Sequence, residues 1–228
     1  MTEQAVILAG GKGTRLLPLT LNVPKPMVDV AGHPFLYWQL RYLKDQGIRR
    51  VVLLLGHLSS VVEKYFTKYP VPGLKIEYSV EPSPLGTGGA LRLSLPLLEE
   101  RFWLLNGDSF LFIELNKMAQ AHMKNNALAT IAALKSDVLK VMGNLNLRGE
   151  TVLEYRRDAG FEYVDAGVYL IEREIVAGGP TGTFDLGKYW IDKVGTHAIN
   201  AFEVHERFFD IGTPERLKIF TEHVSDYF

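Results

Sequence analysis

The order of apolar runs, glycine turns and helical periodicities along the 228 residues predicts an α/β fold: a mixed, mainly parallel sheet flanked by helices. Three observations carry that expectation. Short apolar runs alternate with amphipathic stretches from residue 4 to about 134, the pattern of right-handed crossovers over both faces of a parallel sheet. The second half breaks the alternation and reads as strands joined by short turns, so antiparallel β material is expected at the sheet edge. A 47% hydrophobic share with 22% charged residues supplies a core without any block of like charge.

Each element follows from its own pattern. Gln4 to Leu8 is an apolar run ended by Gly10-Gly11, as in a buried strand feeding a glycine loop. His33 to Gln46 carries Phe35, Leu36, Leu40 and Leu43 at helical spacing, with Gly47 as the expected cap. Val51 to Leu55 is a second strand, and Ser60 with Glu63 has the capping-box spacing for a helix toward Phe66. Leu74 to Val80 alternates as a third strand. Thr87 to Leu95 suits a helix, and Phe102 to Leu105 a strand running into Asn106-Gly107-Asp108. Leu145 to Leu147, Thr151 to Tyr155 and Tyr163 to Ile171 are the later strands, the first two joined across Arg148-Gly149-Glu150. Thr213, Pro214 and Glu215 give the N-cap, first position and acidic first turn of a final helix.

Composition narrows the function classes. A net charge of −1 offers no basic footprint for nucleic acid. The apolar runs are far below the roughly 18 residues of a membrane span. No secretory signal opens the chain, so the expected location is cytoplasmic. With 0 cysteines, thiol nucleophiles and Cys-ligated zinc are excluded. The six histidines show no metal-ligand spacing; His33 and His57 read as local hydrogen-bonding groups, and Phe35 with Trp38 as core. Small ligands are the expected partners, bound at the carboxyl ends of the parallel strands.

Two motifs stand at that edge. Leu8-Ala9-Gly10-Gly11-Lys12-Gly13-Thr14-Arg15-Leu16 follows the first strand, and its glycines let successive N–H groups face an anion while Lys12 and Arg15 add charge. It is neither a Walker A loop nor a dinucleotide fingerprint. In Pro24-Lys25-Pro26 the prolines stiffen the backbone around Lys25, which can reach a phosphate as a point charge. Read alone, each motif is equally a turn or a surface loop.

Together with Glu81-Pro82-Ser83-Pro84-Leu85-Gly86-Thr87-Gly88-Gly89-Ala90, Asn106-Gly107-Asp108, Asp165-Ala166-Gly167 and Asp210-Ile211-Gly212-Thr213, these motifs resemble the sugar-1-phosphate nucleotidyltransferases across essentially the whole chain. Within that family the wording is most similar to heptose- and mannose-1-phosphate guanylyltransferases. The resemblance implies a Rossmann-like, GT-A-like nucleotide-diphospho-sugar transferase fold. It also implies attack by a sugar 1-phosphate on the α-phosphate of a nucleoside triphosphate. By resemblance, Leu8, Ala9, Gly10, Gly11, Gly13, Thr14 and Arg15 bind the nucleotide with Glu81, Gly86 and Thr87. Arg15, Lys25 and Asp108 are the catalytic set, and Asp108 and Asp210 hold Mg²⁺. Asn106, Asp165, Ala166 and Gly167 would contact the sugar phosphate. Where family members carry a Glu-Lys pair, this chain has Arg156-Arg157-Asp158, so Arg156 or Arg157 is expected to replace the lysine.

Base choice follows from chemistry. A carboxylate at Glu81 only accepts, and guanine offers N1–H and its 2-amino group side by side, whereas uracil and thymine offer one donor between acceptors. GTP is therefore favoured, with Gly86 allowing the backbone to approach the base. Uridylyl or thymidylyl transfer, cytidylyl transfer to a non-sugar phosphate, and a silent nucleotide-sugar sensor are the alternatives. Residues 1–228 are expected to form one catalytic domain without an appended β-helix, acting as a monomer or small homo-oligomer.

Overall fold

A computed structural model describes residues 2–11, 13–156, 160–195 and 198–228. β1 (Gln4–Leu8) enters the glycine loop, after which the short strands β2 (Asp29–Val30) and β3 (His33–Pro34) form a ribbon ahead of α1 (Phe35–Asp45). Gly47, at φ 92°, ends α1 as its sequence predicts, and Ile48 N–H returns to Leu43 O at 3.0 Å. β4 (Arg50–Leu55), α2 (Ser59–Lys68), β5 (Lys75–Val80), α3 (Gly86–Leu93) and β6 (Arg101–Asn106) continue the alternation. β1, β4, β5 and β6 are parallel, in the order β5-β4-β1-β6.

The capping box at Ser60 does not form. The chain turns tightly out of β4 through Gly56 and His57, so α2 starts at Ser59 and Leu58 takes the N-cap position at φ 60°. Ser60 therefore lies inside the first turn.

After β6 come β7 (Ser109–Leu111), α4 (Leu115–Asn125), β8 (Ala129–Lys135), α5 (Ser136–Leu139) and the hairpin β9 (Leu145–Arg148) with β10 (Thr151–Tyr155). β11 (Tyr163–Glu172), α6 (Arg173–Ala177), α7 (Leu186–Ile191), β12 (Ile199–Val204), β13 (Phe208–Asp210) and α8 (Pro214–Val224) complete the order. The nine-stranded sheet runs β5-β4-β1-β6-β11-β8-β12-β10-β9. The β9–β10 hairpin stands at the edge as expected, but β11 does not. It lies between β6 and β8, antiparallel to both. The reason is burial: Ala166 to Ile171 are all buried, and a strand apolar on both faces belongs inside a sheet.

Two apolar clusters cover the two faces of the sheet, one around Ile7, Leu36, Leu53 and Leu105 and the other around Val6, Phe102, Ile131 and Trp190. A third, around Phe35, Trp38, Phe110, Phe209 and Phe220, clamps α8 and the β7–β13 ribbon against α1. Phe35 and Phe220 sit 4.9 Å apart, centroid to centroid. Phe209, buried at the centre of this cluster, fixes the strand that carries Asp210. Thr213 caps α8 by accepting from Arg216 N–H, with Pro214 at the first position.

Candidate active site

The carboxyl ends of β1, β4, β5 and β6 open onto a cavity of about 510 Å³. Leu8, Gly10 and Gly11 line it from β1, Leu55 and His57 from β4, Glu81 from β5, and Asn106, Gly107 and Asp108 from β6. Gly86 and Thr87, at the start of α3, and Lys25 with Pro26 complete the walls. This is the strand edge where the sequence places a ligand. The backbone of Ala9 is tied to β4 by a 2.9 Å bond to Leu54 O.

Lys25 is the charged centre of this cavity. It stands in a short 3-10 turn, Lys25–Met27, entered from extended Pro24, and is only 7% exposed. Its Nζ donates to Asp108 Oδ2 at 2.6 Å. A buried ammonium requires such a partner, and a charge-assisted bond of this length fixes its position. Gly13 makes the approach possible. At φ 63° it occupies the left-handed region, and a Cβ there would stand 2.8 Å from Lys25 Cβ. Gly13 thus buttresses the lysine rather than lining the cavity. Lys12 lies outside the described residues.

Thr14 and Arg15 belong to the next 3-10 turn and are exposed. Neither lines the cavity. Arg15 instead reaches the Asp210 loop: a Cβ at Gly212 would stand 3.8 Å from both terminal guanidinium nitrogens and 2.7 Å from Asp210 Oδ1.

Asp108 and Asp210 meet through their backbones, with Ile211 N–H bonded to Asp108 O at 3.0 Å and Asp210 paired with Ser109. Their carboxylates engage different groups. Asp210 accepts from Arg216 at 2.8 Å and from Gly212 N–H at 2.8 Å, and it lines a separate cavity of about 320 Å³ with Phe208 and Ile219. Among the described residues no three His, Cys, Asp or Glu side chains are grouped to hold a metal. Asp108, in the turn between β6 and β7, and Asp210, at the end of β13, supply oxygen donors of the kind Mg²⁺ takes, typically about one or two carboxylates with phosphate and water completing the shell.

A third cavity, of about 300 Å³, shares Leu8, Thr87 and Asn106 with the first. Its far wall holds Asn144, Tyr155, Asp165, Tyr169, Asp185 and Trp190. Asp165 accepts from Tyr155 at 2.9 Å, Tyr169 at 2.7 Å and Gly167 N–H at 2.8 Å. Burial pushes the Asp165 carboxyl up against the pull of these donors, and burial beside Asp165 drives the Tyr169 phenol well above its ordinary range. Ala166, expected at the sugar, points into the core at 1% exposure because alternate residues of a strand face opposite sides. Gly167 packs beneath Asn106 and contributes its N–H to Asp165. Arg156 is exposed, its guanidinium 5.3 Å from the Phe161 ring centroid, and lines none of these cavities. Arg157 lies outside the described residues.

Glu81 closes the end of the large cavity. Its Oε2 accepts from Leu85 N–H at 2.8 Å, while Oε1 lies against Gly10 and Gly56. Gly86 lines this cavity and also packs closely against the chain behind it. At φ 72° it turns into α3, and a Cβ there would stand 2.5 Å from Phe184 O. The room it provides is filled by the chain itself. The Thr87 hydroxyl accepts from Leu186 N–H at 2.8 Å, tying α3 to α7. Gly56, His57, Tyr155, Asp185 and Trp190 are site residues that no motif announces. Only Gly56, directly after an apolar strand, carries a local signal.

An α/β sheet with a glycine loop, a buried lysine and paired aspartates at its carboxyl edge is the architecture of a nucleotidyl-transferring enzyme. The pattern of the nucleotidyl transferase family matches residues 4–215, and the chain belongs to that family. D-glycero-alpha-D-manno-heptose 1-phosphate guanylyltransferase of Campylobacter jejuni is 32% identical over 216 residues, 93% of this chain and 96% of the relative. Mannose-1-phosphate guanylyltransferase of Mycobacterium tuberculosis is 35% identical over 183 residues, 78% of this chain and 51% of that longer relative. Among solved structures, HddC from Yersinia pseudotuberculosis complexed with GMP-PN superimposes with a TM-score of 0.81 at 30% identity, covering 96% of this chain and 98% of HddC. No helix among the described residues is long and apolar enough to cross a membrane.

Proposed function

We propose that this chain transfers a guanylyl group from GTP to a sugar 1-phosphate of the heptose or mannose type, releasing pyrophosphate. The observation that carries the reading is the pair of cavities sharing the wall Leu8, Thr87 and Asn106, with Lys25 and Asp108 in the larger one. Two polyanionic substrates can be held on either side of that wall with a cation beside them, and holding reactants together supplies much of such a barrier.

In this reading the triphosphate lies along Gly10 and Gly11, with the base directed toward Glu81. Glu81, oriented by Leu85 N–H, takes guanine N1–H and the 2-amino group. The sugar occupies the smaller cavity. Its phosphate oxygen attacks the α-phosphorus, the bond from that phosphorus to the β-phosphate oxygen breaks, and pyrophosphate leaves. The nucleophile is already an anion, so no general base is required. Lys25 offsets negative charge on the phosphates, an electrostatic contribution that grows where water is excluded, while the exposed Arg15 adds positive charge at the neighbouring Asp210 loop. Asp108 and Asp210 would hold Mg²⁺, which supplies further neutralisation of the phosphate oxygens. Residues 1–228 act as one catalytic unit.

Pyrophosphate release from each of the four common ribonucleoside triphosphates and dTTP, paired with a panel of sugar 1-phosphates, tests the proposal. GTP with a mannose- or heptose-type 1-phosphate is expected to give the highest kcat/KM. A clear preference for UTP or dTTP, or binding of GTP without turnover of any pair, would overturn it.

A further inference from the structure

The turn that carries Asp108 is held by a side chain from another layer of the fold. Asn106 ends β6 and Ser109 opens β7, so Gly107 and Asp108 alone reverse the chain between them. Inside that turn Gly107 N–H donates to Leu8 O at 3.0 Å, and Asp108 O accepts from Ile211 N–H at 3.0 Å. The carbonyls at its two ends, of Asn106 and Ser109, both accept from one atom, Gln39 Nε2, at 2.9 and 2.7 Å.

Gln39 is a polar residue in an apolar stripe. It falls on α1 at the helical spacing of Leu36, Leu40 and Leu43, on the face turned to the sheet, and is 2% exposed. Both of its partners are carbonyls, so the group that meets them is the amide NH₂, with each hydrogen used. The amide oxygen gains nothing. Oε1 is buried without a hydrogen-bond partner among the described residues, a cost that an apolar residue of the same shape would avoid. The contribution of Gln39 therefore lies in its two donors. From the other side Gly167 closes on the same turn, where an added Cβ would stand 2.6 Å from Asn106 Nδ2 and 3.0 Å from Ser109 Oγ.

Resting on the reading of Asp108 as a Mg²⁺ ligand beside the reacting phosphates, we infer that Gln39 is a positioning residue for the transfer reaction. It lines none of the three cavities of the site. Its action passes through Asp108: the two donors tie both ends of the β6–β7 turn to α1 and so fix where the carboxylate stands. A displacement of about 1 Å in such a site can cost about a hundredfold in rate.

A double-variant cycle tests this. Gln39→Met keeps the length and the apolar stem but removes both donors, and kcat should fall about tenfold or more, with KM for GTP and for the sugar 1-phosphate within about twofold. In an Asp108→Asn background the same change should lower kcat by less than about twofold, because the carboxylate it positions is gone, while the urea midpoint shifts equally in both backgrounds. Mn²⁺ binding in the presence of GTP, read by electron paramagnetic resonance, does not depend on turnover. Its Kd should be about tenfold weaker in Gln39→Met than in wild type and unaltered by the same change in the Asp108→Asn background. Should Gln39→Met fail to fold, Gln39→Asn, which keeps the amide and shortens its reach by one methylene, takes its place in the cycle, with a loss of about threefold or more expected. Unchanged kcat and Mn²⁺ affinity, or losses of equal proportion with and without the Asp108 carboxylate, overturn the inference. Absence of wild-type turnover with every substrate pair would instead overturn the reaction reading, and the Mn²⁺ cycle would still decide the role of Gln39.

Discussion

At the amino end of the parallel strands charged side chains are occupied with one another, whereas at the carboxyl end they border open cavities. Arg50, at the start of β4, pairs with Glu77 of β5 and stands 3.8 Å from Glu99. Arg101, at the start of β6, pairs with Glu172 of β11, which also meets His122 Nε2 at 3.0 Å. His122 is 1% exposed, and its other ring nitrogen meets the Thr130 hydroxyl at 2.8 Å. The Arg50 guanidinium holds the Glu77 carboxyl below its ordinary range, and burial pulls His122 down. A cavity of about 460 Å³ exists here too, but Arg101, His122 and Glu172 on its wall already have partners in the chain. At the other end Lys25 and Asp108 form a pair whose carboxylate remains 42% exposed. The comparison teaches that one end of the sheet holds the fold, while the other keeps its charges at a surface that a ligand can reach.

The largest effect expected from that division is on catalysis. Asp108→Asn should lower kcat about a hundredfold or more, by analogy with removal of one transition-state electrostatic group. Asparagine keeps an oxygen that accepts from the buried Lys25 ammonium but loses its charge, so the unfolding free energy should fall by about 1–2 kcal/mol, less than an unpaired buried ammonium would cost. Kinetics beside urea denaturation check both, and near-normal turnover would break the comparison at its functional end. Glu172→Gln should act on stability alone, costing about 1–3 kcal/mol by weakening bonds to Arg101 and His122, with kcat/KM unchanged. A large loss of activity without loss of stability would blur the distinction.

The smallest effect concerns pH. His122 has a folded pKa below its ordinary value, so the unfolded chain takes up the proton first. Its contribution is complete above the unfolded value of about 6.5 and is lost as pH falls toward the lowered folded value. Melting midpoints measured down that range should fall more steeply for wild type than for His122→Gln. Identical slopes would remove His122 from the scaffold network.

The sequence made the local features of both ends legible. Gly47 and Thr213 mark their helix ends because capping depends on a few adjacent residues, and the glycine loop and Pro24-Lys25-Pro26 mark the ligand edge. Ser60 failed as a cap because the turn through Gly56 and His57, not helical propensity, set where α2 begins. What depends on distant pairing was not legible. β11 joins β6 across more than half a hundred intervening residues, with Val168 opposite Leu105 and Glu172 opposite Arg101. That pairing lets Asp165 and Tyr169 line one cavity with Asn106, the last residue of β6, which pairs with Leu8 of β1. Nor does any local motif signal the cation–π contact of Arg156 with Phe161 or the ion pair of Asp210 with Arg216.

The central claim is that the carboxyl end reads a guanine base through Glu81 and transfers its nucleotide. The most direct measurement is the ratio of kcat/KM for GTP over UTP, with one sugar 1-phosphate, in wild type and Glu81→Gln. Glutamine can still accept from Leu85 N–H but presents one acceptor and one donor group to the base. Wild type should favour GTP, and the variant should lower that ratio about tenfold or more, the scale of lost polar complementarity in a closed site. A wild-type ratio favouring UTP, or a ratio that Glu81→Gln leaves unchanged, would contradict the account.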